Sequence, residues 1–337
     1  ETVCPIMNIK SDKRTEYTAY AAYSKNSDVH MRASSGGMVE TFSTYLFEKN
    51  YVVYGAAFHE NLTLKCTEAT NQTELFPLLK SKYIQSDLSG KYQEIKEKLN
   101  AGERILFVST PCQVYALKLY LKKQYDNLIT VDFICRGVPS QRFFDACTTY
   151  DERRKKIKIN SFQFRAKQRK NATLHCYSVN NGKPKLYYNS TFYRAFQKYI
   201  CLRESCYDCI FSKETRYSDI TVGDFHDIDR YVRGINRFDG VSLVIPNTER
   251  GRTLFQNVQD KLVVHEMDLD LLMQDGICFS EGTKRPKTRD AFVNSYQNDP
   301  FDLFVKKNLN RKSYLKFDLY YRLPLFVRKK IKSVLGI

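Results

Sequence analysis

One alternation restricts the fold more than any other feature of this chain. "RILFVST" (104–110) is a short apolar run suited to a buried strand, and "CQVYALKLYLKKQY" (112–125) has helical apolar spacing. "LITVDFICRG" (128–137) is a second buried strand. Two buried strands joined by a helix form a parallel pair, because a parallel connection needs a crossover of helical length. Neighbouring segments extend the pattern. "SGGMVETFSTYLFEKN" (35–50) reads as a helix opening on a glycine pair, followed by the β-rich "YVVYGAAF" (51–58). "SGKYQEIKEKLNAG" (89–102) and "SQRFFDACTTYDERRKK" (140–156) read as further helices, the first closed by Gly102 and the second capped by Ser140. The expected class is α/β: a mostly parallel sheet covered by helices.

The texture changes after residue 156. "KINSFQFRA", "TLHCYSVN" and "PKLYYNSTF" read as antiparallel strands, with "NNGK" as a turn. This predicts an inserted antiparallel β-rich subdomain. "SDITVGDF" (218–225) and "GVSLVIP" (240–246) then read as strands, and helices are expected over 248–260 and 266–275. The expected division is a leading segment at 1–30, an α/β part at 31–156, the β-rich subdomain with the rest of the core at 157–275, and a basic helical C-terminal tail at 276–337.

Lys and Arg number 54 against 37 Asp and Glu, a net charge of +17. That balance suits nucleic acid, a membrane surface or an anionic ligand. No zinc finger, RNA-recognition signature or helix-turn-helix pattern accompanies it, so nucleic acid is not the expected partner. No apolar run approaches the ~20 residues that span a bilayer, and the start is not a signal peptide. The chain reads as cytoplasmic, with the tail "KFDLYYRLPLFVRKKIKSVLGI" able either to lie on the inner face of a membrane or to pack on its own domain.

Ten cysteines are many for a protein without a secretion signal, which points to metal or redox chemistry. Cys4, Cys66, Cys147, Cys176 and Cys278 lack cysteine neighbours and read as buried apolar residues. "CLRESCYDC" carries Cys201, Cys206 and Cys209. A CxxC pair serves both zinc and iron–sulfur sites. No second close pair exists, whereas Cys112 and Cys135 sit singly at strand ends, where α/β sheets gather ligands. That arrangement favours an iron–sulfur cluster over zinc.

"ASSGGMVETFSTYLFEKNYVVYGAAF", "KSKYIQS", "LFVSTPCQVYALK", "VDFICRGVPS", "CLRESCYDCIF" and "RYSDITVGDF" together resemble the beta subunit of coenzyme F420 hydrogenase/dehydrogenase, and more closely its bacterial relatives from surface-polysaccharide loci. The resemblance implies FAD and a 4Fe-4S cluster, passing electrons to a small-molecule or glycan-related acceptor. It implies cluster ligation by Cys112, Cys135, Cys206 and Cys209, with Cys201 competing with Cys112 for the fourth place. It also implies that 31–156 is the FAD-binding part, with contacts from Ser34, Ser35, Gly36, Gly37, Lys82, Tyr83, Thr110 and Ser140. Physically, a capping serine and free N–H groups at a helix start suit a pyrophosphate.

The pattern departs from the family at three places. Ser109 replaces a glycine, Arg136 a histidine, and His226-Asp227 a Trp-Gly pair. His226, flanked by acids, is either a catalytic proton donor or a surface histidine paired with Asp224 or Asp227. "VCPIMN" resembles the last Cys-Pro of a ferredoxin segment, so 1–30 reads as a remnant or linker after it. Electrons would then come from that segment or from a separate ferredoxin, and the acceptor would be an anionic small molecule or a lipid-linked glycan. The competing reading is a non-redox module, zinc-stabilised, that binds nucleic acid or an acidic glycan.

Overall fold

In the computed structural model the described residues are 4, 5, 7, 8, 18–167, 173–179, 185–186, 190–236, 239–276, 282–309 and 327, with backbone alone described at 173–179 and 185–186. The expected "NNGK" turn, Cys278, the Cys176 side chain and, apart from residue 327, the last part of the C-terminal tail at 310–337 lie outside them.

In chain order the elements begin β1 (Ala19–Ser24), α1 (Ser27–Arg32), α2 (Met38–Phe47), β2 (Tyr51–Phe58), β3 (Leu64–Ala69), α3 (Gln72–Leu75) and α4 (Lys91–Asn100). They continue with β4 (Arg104–Ser109), α5 (Pro111–Leu121), β5 (Leu128–Phe133), α6 (Gln141–Lys155), β6 (Ile159–Lys167), β7 (Thr173–Val179), β8 (Lys185–Leu186) and α7 (Thr191–Gln197). Last come β9 (Ile220–Asp224), β10 (Ser242–Pro246), α8 (Glu249–Gln256), β11 (Leu262–Met267), α9 (Leu269–Gln274), α10 (Arg289–Asn298) and α11 (Phe301–Asn308).

One mixed sheet of eight strands carries the fold, in the order β11-β1-β10-β9-β5-β4-β2-β3. Its centre is the expected parallel set, with β2, β4, β5 and β9 running together. Antiparallel strands flank it: β3 beside β2, and β10, β1 and β11 beyond β9. The central runs are apolar on both faces because both faces are covered. Phe42, Leu46, Val131 and Leu254 pack α2 and α8 against one side. Ile95, Phe107, Leu117 and Leu121 pack α4 and α5 against the other.

Residues 1–30 were expected as a remnant or linker, yet Ala19–Ser24 is an interior strand between β10 and β11. Its small residues Ala19, Ala21 and Ala22 are fully buried. The antiparallel three-stranded sheet β6-β7-β8 is the inserted element. It does not stand apart: Phe162 and Phe164 of β6 share one aromatic core with Phe143 and Phe144 of α6, Phe192 of α7, Phe292 of α10 and Phe304 of α11. The "STF" expected at the end of a strand instead opens α7, with Ser190 accepting from the Tyr193 N–H at its start. Its aromatic residues fit strand and helix alike, and packing against α6 decides between them.

Candidate functional site

The C-terminal ends of β2, β4, β5 and β9 open into a single cavity of about 660 Å³. That position, at the ends of parallel strands, is where open α/β sheets bind ligands, and the volume is typical of small-molecule and cofactor sites at roughly 300–1,000 Å³.

Cys112 opens α5, and Cys135 follows the end of β5; both line the cavity. Behind Cys135 the loop of Cys206 and Cys209 comes close. Gly137 has φ +104°, and a Cβ there would stand 2.9 Å from the Cys206 Cβ and 2.8 Å from the Leu202 side chain. Only glycine lets these two loops meet at that distance. The Gly137 N–H points at the Cys135 sulfur, 3.4 Å away. Burial pushes the Cys135 thiol up to about 12, and the neighbouring sulfurs of Cys112, Cys206 and Cys209 add to the rise. Burial also raises Cys112, which feels Cys209 and Cys206. Four thiols from three segments thus share one low-dielectric region. Cys201 is not of this group. It is buried in the aromatic core, where its thiol is raised by burial and eased by Arg289, and its sulfur neighbour is Cys147. Among the described residues, no three His, Cys, Asp or Glu side chains lie close enough to grip a single metal ion.

The SSGG turn is built differently from the expectation. Gly37, at φ +88°, is the N-cap residue of α2 and no side chain caps that helix, so the expected capping serine is absent. Ser34 Oγ instead accepts from the Ser81 N–H at 2.9 Å, tying this turn to the "KSKYIQS" loop. Ser35 Oγ donates to the Val241 carbonyl at 2.8 Å, and Lys167 Nζ donates to the Ser35 carbonyl at 2.6 Å. Gly36 spends its N–H on Ser242 Oγ at 2.9 Å and is wedged against β1. It is a packing residue and does not line the cavity; Ser34, Ser35 and Gly37 do. What faces the cavity is the first turn of α2, Gly37 to Glu40, whose N–H groups lack intrahelical partners by helix geometry. Buried Glu40 in that turn is held by the Arg32 guanidinium and Gln72, which offsets its charge.

Lys82, Tyr83 and Thr110 also line the cavity. Tyr83 stacks on Phe196, with ring centroids 4.6 Å apart. Thr110 Oγ1 donates to Gln113 Oε1 and stands 3.3 Å from the Cys112 sulfur. Lys82 Nζ donates to the Leu79 carbonyl at 2.6 Å, and burial, reinforced by Lys80, pulls its pKa down to about 7. Ser140 does not reach the cavity; it caps α6 by accepting from the Phe143 N–H. Ser109, in place of the family glycine, ends β4 without a positive φ and donates to Gln113.

At the far side, Arg165 of β6 pairs with Asp224 at the end of β9, and His226 Nε2 stands 3.8 Å from the same carboxylate. All three line the cavity, and His226 is 74% exposed. The sequence assigns Arg165 no role, because nothing local ties it to a residue 59 positions away.

The fold is thus an α/β sheet with a cavity at its parallel strand ends, where this class of sheet places its ligand sites, walled in part by thiols and cations. The chain belongs to the coenzyme F420 hydrogenase/dehydrogenase beta subunit family: the profile of that family's C-terminal region matches residues 102–271. This is a family of oxidoreductase subunits. The fold is similar to that of a chain from a xenon-derivatized structure of the F420-reducing nickel–iron hydrogenase complex of Methanosarcina barkeri. The match has a TM-score of 0.51 at 17% identity and covers 79% of this chain and 90% of the other. No curated protein matches the sequence.

Proposed function

We propose that this chain is a flavin- and iron–sulfur-dependent oxidoreductase subunit, with FAD in the cavity and a 4Fe-4S cluster on Cys112, Cys135, Cys206 and Cys209. The observation that carries the reading is that Cys112 and Cys135 line the strand-end cavity while the loop of Cys206 and Cys209 comes up behind Cys135. The donor set suits the group: soft sulfur ligands and a glycine cradle at Gly137 that brings two of the loops together. When bound, such a cluster carries single electrons and a flavin exchanges one or two.

The chain's own residues hold, orient and protonate. The first turn of α2 and Lys82 receive the pyrophosphate, and Tyr83 on Phe196 forms a rigid aromatic wall. Arg165, held by Asp224, presents a cation to an anionic acceptor such as a small molecule or a lipid-linked glycan of surface-polysaccharide synthesis. His226, beside Asp224, supplies a proton to that acceptor.

Lys82 makes the flavin part testable. A lysine titrating near 7 is mostly neutral at pH 9 and charged at pH 6, and an anionic diphosphate prefers the charged form. FAD affinity is expected to rise as pH falls through this window. Lys82→Met is expected to bind about 10-fold to 100-fold more weakly at pH 6, as for a lost charged hydrogen bond. Its affinity should also lose most of its pH dependence. Fluorescence titration of FAD at several pH values checks both; equal affinity and an equal slope in the variant would remove Lys82 from the site.

The donor in this reading is an acidic ferredoxin or a ferredoxin-like segment. The net charge of +17 draws such a partner, and exposed charges are screened beyond about 8 Å at physiological salt. Stopped-flow reduction by ferredoxin is therefore expected to slow steeply with added salt, while reduction by a small neutral reductant stays constant. A ferredoxin rate flat in salt contradicts the donor assignment.

A further inference from the structure

Arg216 does not line the strand-end cavity, and its guanidinium is among the most buried charges of the described residues, with 2% of its side chain exposed. Nη2 donates to Asp132 Oδ1 at 2.7 Å and to the Phe133 carbonyl at 3.2 Å. Nη1 donates to the Phe211 carbonyl at 2.8 Å, and Nε donates to Thr221 Oγ1 at 3.1 Å. Asp132 is 1% exposed, and its Oδ2 accepts no hydrogen bond among the described residues, so Arg216 is what offsets its charge.

The positions of these acceptors matter. Asp132 and Phe133 end β5, three and two residues before Cys135; Phe211 follows Cys209 by two; Thr221 lies in β9, which pairs with β5. One planar fork therefore fastens the strand that delivers Cys135 to the loop that delivers Cys206 and Cys209. A lysine ammonium has three donors and no such fork, so it cannot hold these four acceptors in fixed directions. We propose that Arg216 is a positioning residue for the cysteine cluster, setting the separation of the Cys135 arm from the Cys206–Cys209 arm. This rests on the iron–sulfur reading above. Outer residues that orient ligands of a metal site typically change its affinity by about 10-fold to 100-fold.

Arg216→Met alone strands the Asp132 carboxylate and can unfold the protein, so the test uses Arg216→Met/Asp132→Leu. Replacing a buried ion pair with apolar residues of similar volume tends to leave stability unchanged. The expected result is a metal-free melting temperature close to the parent's with iron loss to a chelator about 10-fold faster or more. The EPR spectrum of the reduced protein should change as well, and Arg216→Lys should not restore the parent rate. Asp151→Asn is the control: this buried carboxylate holds Thr191 between α6 and α7, beside Cys147 and not among Cys112, Cys135, Cys206 and Cys209. It should lower the melting temperature without altering iron loss. Parent-like iron loss and EPR in the double variant would overturn the role of Arg216, and a parent protein without iron and sulfide would overturn the role together with the reading beneath it.

Discussion

Changing Cys206 or Cys209 to Ser is expected to abolish the iron–sulfur spectrum, with iron and sulfide falling at least about 10-fold below the parent. Serine keeps the size of the side chain and removes the soft thiolate, the donor that iron–sulfur clusters require. Both residues sit on a loop pinned at several points. Arg203 N–H bonds to the Val138 carbonyl, and the Cys206 N–H bonds to the Arg203 carbonyl. Thr283 Oγ donates to the Arg136 carbonyl from the opposite side. The folded frame should therefore survive while the site empties, since ligand loss and local loop order are coupled. Cys201→Ser sharpens the result. Cys201 is packed with Leu202 and Cys147 in the aromatic core, so its variant should retain iron and sulfide and lose only some stability. Full iron in both Cys206→Ser and Cys209→Ser, or its loss in Cys201→Ser alone, would reassign the ligands.

The second large effect falls on Gly36. A Cβ there would lie 2.3 Å from the Ala22 carbonyl oxygen and 2.9 Å from both the Ser242 N and Oγ. Two of those atoms belong to the backbone of β1 and β10, so no rotamer change relieves the contact. Overpacking of this kind costs about 1–3 kcal/mol, and more where strands must part. For Gly36→Ala the melting temperature is expected to drop by roughly 2–4 °C, and further if the strands part. Thermal unfolding followed by circular dichroism reads this, and an unchanged transition would mean that β1 and β10 yield freely. Glycine at this point serves the close approach of chain to sheet, not the approach of a phosphate.

That case also marks where the sequence stopped being legible. The β4-α5-β5 unit could be read because both strands are apolar on two faces and the helix keeps its periodicity. Of the antiparallel flanks, β10 could be read as an apolar run but β1 could not: Ala19–Ser24 is a run of small and aromatic residues whose strand character comes from β10 and β11, over 200 positions away. Likewise, spacing exposed the cysteines, because CxxC and strand-end positions are local signals. The SSGG turn carried a local signal too, but its atoms are committed to Ser242, Val241 and Ser81, so only Gly37 and the helix start behind it remain for a ligand. Arg216 with Asp132, 84 residues apart, left no trace in the sequence pattern.

The central claim is that this chain holds both redox groups, and purification of the unaltered protein without oxygen tests it most directly. Iron, acid-labile sulfide, zinc and flavin are measured per chain, together with the visible spectrum. The account predicts a yellow-brown protein with roughly four iron, four sulfide and one FAD per chain. A colourless protein carrying zinc and no flavin would contradict it.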